Sequence, residues 1–143
     1  MIATRSQVPR KILVVDDQSA IRNNFKRLLE NAGFQVVVAD SFAAGRVALS
    51  EVMPDLLISD VRLGDYNGLQ LLASTTRSIP AIMITGFPDR VLAAEARRFG
   101  AEFLIKPVES APLIALITRK LEQSPAGVPA IGASDGGSAA GDR

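Results

Sequence analysis

Asp16, Asp17, Asp60, Thr85 and Lys106 are the side chains best placed for chemistry, because each stands at the end of a short apolar run. The run 12–17 (ILVVDD) closes on two adjacent carboxylates, and 56–60 (LLISD) closes on a third. The run 81–85 (AIMIT) ends in a hydroxyl, and 102–105 (EFLI) ends at Lys106-Pro107. If these runs are strands of one parallel sheet, their carboxyl ends share an edge and residues far apart in sequence converge there. Two adjacent anions beside an apolar sheet are costly unless something cationic joins them. Three repel one another, and a hard divalent cation is the usual remedy. Mg²⁺ prefers oxygen ligands, keeps several waters and commonly binds phosphate oxygens beside one or two carboxylates. A hydroxyl and an ammonium facing such a cluster suit a phosphoryl group that the metal has partly neutralised. One carboxylate can then be a nucleophile, as in aspartyl-phosphate chemistry, while the others hold the metal.

The rest of the composition narrows the field. The 143 residues favour one domain with a substantial core, and 48% hydrophobic against 22% charged is an ordinary globular balance. A net charge of +1 with no basic stripe argues against direct nucleic-acid binding. No apolar stretch reaches the length of a membrane span and the first residues lack a signal-peptide core, so the expectation is a cytoplasmic protein without a membrane partner. Cysteine and histidine are both absent. That excludes thiol nucleophiles, cysteine- or histidine-ligated metals and Ser-His-Asp triads.

Five elements of each kind must position those chain positions. Residues 1–10 read as a frayed lead. After the first strand, Ile21, Phe25, Leu28, Leu29 and Ala32 fall at helical spacing, and Gly33 suits a C-terminal cap. A second strand is expected at 34–39 and a weak helix at 42–52, since Gly45 costs about 1 kcal/mol against Ala. The stretch 64–68 reads as a loop and 69–75 as a short helix. Asp89 caps a helix through Phe99, closed by Gly100, and Ser110 caps a last helix bearing Leu113, Leu116, Ile117 and Leu121 on one face. Alternating strands and helices predict an α/β fold with a doubly wound, five-stranded parallel sheet and helices on both faces. The domain is expected over 10–122. Residues 123–143, rich in Gly, Ala, Ser and Pro, read as a flexible tail.

The ordered set ILVVDD, PDLLISDVRLGDYNG, IMITG and GAEFLIKP resembles the receiver (CheY-like) domain of two-component response regulators, from Arg10 to Leu121. The resemblance implies a flavodoxin-like strand order 2-1-3-4-5. It implies Asp60 as phosphoacceptor, Asp16, Asp17 and Asp60 at a Mg²⁺ site, and the Arg62 backbone carbonyl as a further metal ligand. Thr85 and Lys106 then contact phosphoryl oxygens, Thr85 and Phe103 form the switch, and the Lys106-Pro107 peptide is cis. The implied protein is a single-domain phosphorelay response regulator that catalyses only its own phosphorylation and dephosphorylation. Its partners are a histidine kinase or phosphotransfer protein and a downstream protein bound by the fourth helix, fifth strand and last helix (90–99, 102–105, 111–121).

The sequence departs from that pattern in places. Family members often carry proline four residues after the acceptor, where Gly64 stands here, and the glycine is expected to loosen the loop. Arg62 and Phe87, two residues beyond Asp60 and Thr85, occupy positions suited to shielding an acyl phosphate, and Gly86 keeps the entrance open. Two alternatives carry different roles. One is a shuttle passing phosphate to another histidine protein. The other is a haloacid-dehalogenase-type phosphatase, a family with its nucleophile in a D-x-D motif after the first strand, where this chain has Asp16-Asp17-Gln18. A flavin or dinucleotide site would want a glycine- or hydroxyl-rich loop there instead.

Overall fold

Side-chain parity within the strands decides the layering. Ile12, Val14, Leu56, Ile58, Ile82 and Ile84 bury on one face of a sheet, whereas Leu13, Val15, Leu57, Ala81 and Met83 bury on the other. With both faces covered, the strands need no polar side, which is why they read as continuous apolar runs. The computed structural model describes residues 8–87 and 89–123. Its sheet contains β1 (Lys11–Val15), β2 (Gln35–Ala39), β3 (Leu56–Asp60), β4 (Ala81–Thr85) and β5 (Ala101–Ile105). The order is β2-β1-β3-β4-β5 and every pairing is parallel, as expected.

Five helices supply the outer layers: α1 (Ser19–Asn31), α2 (Phe42–Glu51), α3 (Gly68–Ala73), α4 (Arg90–Arg98) and α5 (Ser110–Gln123). Leu29 of α1 and Leu113, Ile117 and Leu121 of α5 complete the first core. Leu49 of α2, Leu71 of α3 and Ala96 of α4 complete the second. Each fully buried Leu or Ile contributes about 2 kcal/mol relative to exposure. Gly45 has a packing reason that outweighs its helix cost. A Cβ there would stand 3.0 Å from a Leu71 methyl and 3.3 Å from one of Val15, so the glycine lets α2 settle onto α3 and β1.

Helix ends follow local chemistry. Gly33 (φ +98°) and Gly100 (φ +75°) close α1 and α4 in the left-handed conformation. The Asp89 carboxylate accepts from the backbone N–H groups of Val91 and Leu92, capping α4. Ser110 behaves differently from expectation. It is the first residue of α5 rather than its cap, and the Glu109 carbonyl accepts the Leu113 N–H. Gln123 extends the same helix, so the expected tail begins no earlier than 124, and its remainder lies outside the described residues. Arg10 is not frayed: its carbonyl accepts from Gln35 N–H and carries the β1–β2 ladder one step further.

The stretch after β3 is more ordered than a loop. Arg62–Leu63 pairs antiparallel with Tyr66–Asn67 around Gly64 at φ +65°. A positive φ confined to the first central residue fits a type II′ hairpin, where glycine belongs. Proline, held near −65°, cannot adopt it. Gly64 therefore tightens this segment, contrary to the expected loosening. The short helix starts at Gly68 and ends at Ala73, because Asn67 and Gln70 form a reciprocal capping box, each side chain accepting from the other's backbone N–H at 2.8 Å.

Gly68 itself is required by contact. An added Cβ would lie 2.6 Å from Met83 Sδ and 2.8 Å from the Asp60 carbonyl oxygen. Gly68→Ala is therefore expected to destabilise the fold by about 2–3 kcal/mol, the scale of an overpacked core site. Urea denaturation measures this, and an unchanged midpoint would mean that α3 and the end of β3 can separate freely.

Candidate functional site

The register carries all five predicted side chains to one edge. Asp60 pairs with Ile84, Thr85 pairs with Ile105, and the Lys106 N–H extends the ladder to the Thr85 carbonyl at 2.7 Å. On the other side the Asp16 N–H reaches the Ala39 carbonyl at 3.1 Å. One carboxylate oxygen from each of Asp16, Asp17 and Asp60 lies within 4.8 Å of the others. Lys106 Nζ stands 3.4 Å from Asp60 Oδ2 and 3.7 Å from Asp16 Oδ2. Both distances exceed the 2.7–2.9 Å typical of a tight charge-assisted bond. The ammonium is thus shared between two carboxylates and loosely held.

The three acids differ in exposure. Asp16 is buried, Asp60 half-buried and Asp17 exposed. Burial raises the Asp16 pKa above the ordinary value of 3.8. The Gln18 N–H, donating to Asp16 Oδ1 at 2.9 Å, opposes the shift, as does Lys106, while Asp60 and Asp17 add to it. Oxygen-only donors, crowding and a reluctant buried anion together fit a hard divalent cation.

Thr85 is 3% exposed and its hydroxyl oxygen accepts the Phe87 N–H at 3.1 Å. In parallel, the Arg62 N–H donates to Asp60 Oδ1 at 3.2 Å. Arg62 and Phe87 then meet across the mouth, with the guanidinium carbon 5.0 Å from the ring centroid. Beside them a Cβ on Gly86 would meet nothing, which leaves that side open as expected. Phe103 is half-buried and packs against the core on the α2, α3 and α4 face. By parity it shares that face with Met83 and Thr85. The Lys106-Pro107 peptide is cis.

Several supporting contacts escaped the sequence reading. Arg22 Nη1 donates to the Asp16 carbonyl at 2.8 Å and ties α1 to the acids. Ser59 Oγ donates to the Asp60 carbonyl at 2.8 Å. Gly68 packs directly against that same carbonyl. Only Gly68 left a readable sign, standing two residues beyond Tyr66 in the turn-forming run GDYNG.

Comparison with known proteins agrees with this geometry. Residues 12–118 match the family model described as the response regulator receiver domain. The chain is 36% identical over 117 residues to the transcriptional regulatory protein FixJ of Bradyrhizobium diazoefficiens, covering 79% of this chain and 57% of that protein. It is 35% identical over 125 residues to the transcriptional regulatory protein GlrR of Escherichia coli, covering 83% of this chain and 28% of the relative. The chain thus spans less than two thirds of these curated relatives. Among solved structures, a CheY-like receiver domain protein from Methanospirillum hungatei gives a TM-score of 0.75 at 29% identity, covering 81% of this chain and 96% of that one. A receiver domain protein from Clostridium thermocellum gives 0.73 at 33% identity, covering 80% and 95%. The family match reaches from β1 into α5, and by it the chain belongs to the response regulator receiver domains of two-component systems.

Proposed function

We propose that Asp60 accepts a phosphoryl group from a histidine kinase or phosphotransfer protein, and that the phosphorylated form signals through protein contacts. The observation that carries this reading is the convergence of three carboxylates and one loosely held lysine at a single sheet edge. An Asp60 oxygen attacks phosphorus, the bond to the donor imidazole nitrogen breaks, and an acyl phosphate forms. Lys106 moves from the carboxylates to a phosphoryl oxygen, and the Thr85 hydroxyl turns away from the Phe87 N–H to donate its proton to another. Asp16, Asp17, Asp60 and the Arg62 carbonyl are the groups that would hold Mg²⁺. When bound, the ion offsets their charge and that of the incoming phosphoryl group.

Two surfaces support the partner assignments. A cleft of about 730 Å³ between α1 and the turn after β5 is lined by Ile21, Phe25, Val108 and Lys106 itself, which gives a donor protein an apolar seat beside the acids. On α4 and β5, Val91, Phe99 and Ile105 are exposed, an apolar strip suited to a downstream protein. Phosphate relay to a further histidine protein uses the same edge in reverse. The phosphatase alternative lacks support, since the acid following Asp16 is its immediate neighbour and Asp60 stands on β3.

Acetyl phosphate with Mg²⁺ is expected to add one labile phosphoryl group, followed by intact mass. Asp60→Asn and chelation should each abolish labelling; an Asp60→Asn protein labelled at the original rate would remove the acceptor assignment.

Stability should depend on pH through Asp16. Its raised pKa means that the folded state holds the proton more tightly than the unfolded chain. Its contribution is therefore fully present below 3.8 and is lost as pH rises through the raised folded value. In chelator, Asp16→Asn should gain in melting temperature over the parent as pH rises through that window, and Mg²⁺ should narrow the difference. Parallel melting curves for the two proteins across pH would contradict the account.

The third expectation concerns the switch. As Thr85 turns toward the phosphoryl group, Phe103 fills the space behind it and alters the surface of α4, β5 and α5. A shift from 1:99 to 99:1 takes about 5.5 kcal/mol of differential interaction. Amide NMR with beryllofluoride and Mg²⁺ should show changes along that surface, and Thr85→Ala should mute them while retaining labelling. Changes limited to the Asp60 loop would sink the switch and leave the acceptor untouched.

A further inference from the structure

Along α2 and the turn after α3 runs an open cleft of about 630 Å³. Arg46 and Arg77 line it together with hydroxyl groups such as those of Ser50 and Thr76, and no carboxylate lines it. Among the described residues neither arginine has an acidic partner in an ion pair. Arg77 Nη2 donates to the Pro54 carbonyl at 2.9 Å, which fixes its guanidinium against the cleft wall. Among the described residues Arg46 makes no such bond.

The apolar part of the cleft is unusual in a different way. Met53 follows the last turn of α2 at φ +55°, the only non-glycine residue with positive φ among those described. That place after a helix is normally given to glycine, because a Cβ is strained there. The strain brings the fold little in return, since Met53 is 56% exposed, and its neighbour Val47 is 53% exposed. A local rule broken without a packing gain directs attention to contact with something outside the fold. Methionine is a flexible, polarisable contact residue well suited to that use.

We propose that this cleft is a docking site for an acidic segment of a partner protein, with an apolar side chain seated on Val47 and Met53 and carboxylates on Arg46 and Arg77. Charge selects the occupant. Two unpaired guanidiniums over a floor without acids favour a carboxylate-bearing chain and disfavour a basic one. The cleft shares no lining residue with the acid cluster, so docking there need not involve Asp60. The proposal thus goes beyond the receiver function and does not rest on it.

Amide NMR of the whole chain, titrated with a short peptide of Glu and Leu, tests it. Shifts should be confined to residues 43–53 and 74–77, and be absent with the matching peptide of Lys and Leu. Arg46→Glu should weaken binding about tenfold or more while labelling of Asp60 continues at its normal rate. Met53→Gly should hold or raise the melting temperature yet weaken the peptide. Four results would overturn the proposal: no shifts, equal shifts with the Lys peptide, equal binding of inorganic phosphate alone, or full peptide binding by Met53→Gly. Concentration-dependent shifts of the same amides without peptide would also overturn it, by showing that a second copy of the chain occupies the cleft.

Discussion

Everything at the functional edge follows from crowding three carboxylates against one ammonium. A sheet buried on both faces has no room for charge along its strands, so its acids must stand where the strands stop. Asp16 and Asp60 do so on adjacent strands, and Asp17 sits beside them just ahead of α1. The fold offsets part of the repulsion. The Gln18 and Arg22 contacts hold Asp16 from the α1 side, the positive end of α1 lies close to both acids, and Lys106 stands between Asp16 and Asp60. That leaves a net negative, oxygen-lined edge. Such an edge suits a divalent cation and holds Asp60 at the end of a strand that cannot move without breaking the core.

The features legible in the sequence were those set by the core. β1, β3 and β4 are short runs of β-branched and aliphatic residues closed by polar ones, so both their existence and their chemical ends could be read directly. The convergence of Asp16, Asp60, Thr85 and Lys106 then followed from parallel topology alone. Less legible were features decided by backbone torsion or by long side chains. Gly64 reads as a loosening residue by type, yet its positive φ makes it the pivot of a tight hairpin. The Asn67–Gln70 capping box was written in the sequence and shifted the start of α3 by one residue. The Arg62–Phe87 and Arg22–Asp16 contacts left no pattern, since a flexible side chain of that length can reach many places.

The glycines sort by what each makes possible. Gly45 and Gly68 allow close approach, the first of α2 to α3 and the second of α3 to the end of β3. Gly45 thereby seats α2 on α3 and β1, and Gly68 seats α3 directly behind Asp60. Gly64 instead shapes the segment in front of it, where Arg62 and Tyr66 lie on opposite arms of one hairpin. Tyr66 stacks on Phe42 at 4.2 Å, which pins that hairpin to the start of α2. The hairpin is thereby tied to α2, which leaves Lys106, Thr85 and the contact between Arg62 and Phe87 as the groups free to respond.

Strand parity gives those free groups different destinations. Thr85 continues the face of Ala81 and Met83, shared with Phe103 on β5 and packed beneath α4. Lys106 continues the face of Leu104, against α1 and α5, and borders the α1 cleft. A group bound between them touches both layers of the protein at once. In the proposed mechanism the donor docks on the Lys106 side, so its departure leaves the Thr85 side to carry the change. The path from Thr85 is also the softer one. Val91, Phe99 and Ile105 on that side are exposed, whereas Leu113, Ile117 and Leu121 lock α5 into the core at the other. A change that starts at a buried hydroxyl is therefore most cheaply expressed on α4 and β5, where few buried contacts have to break.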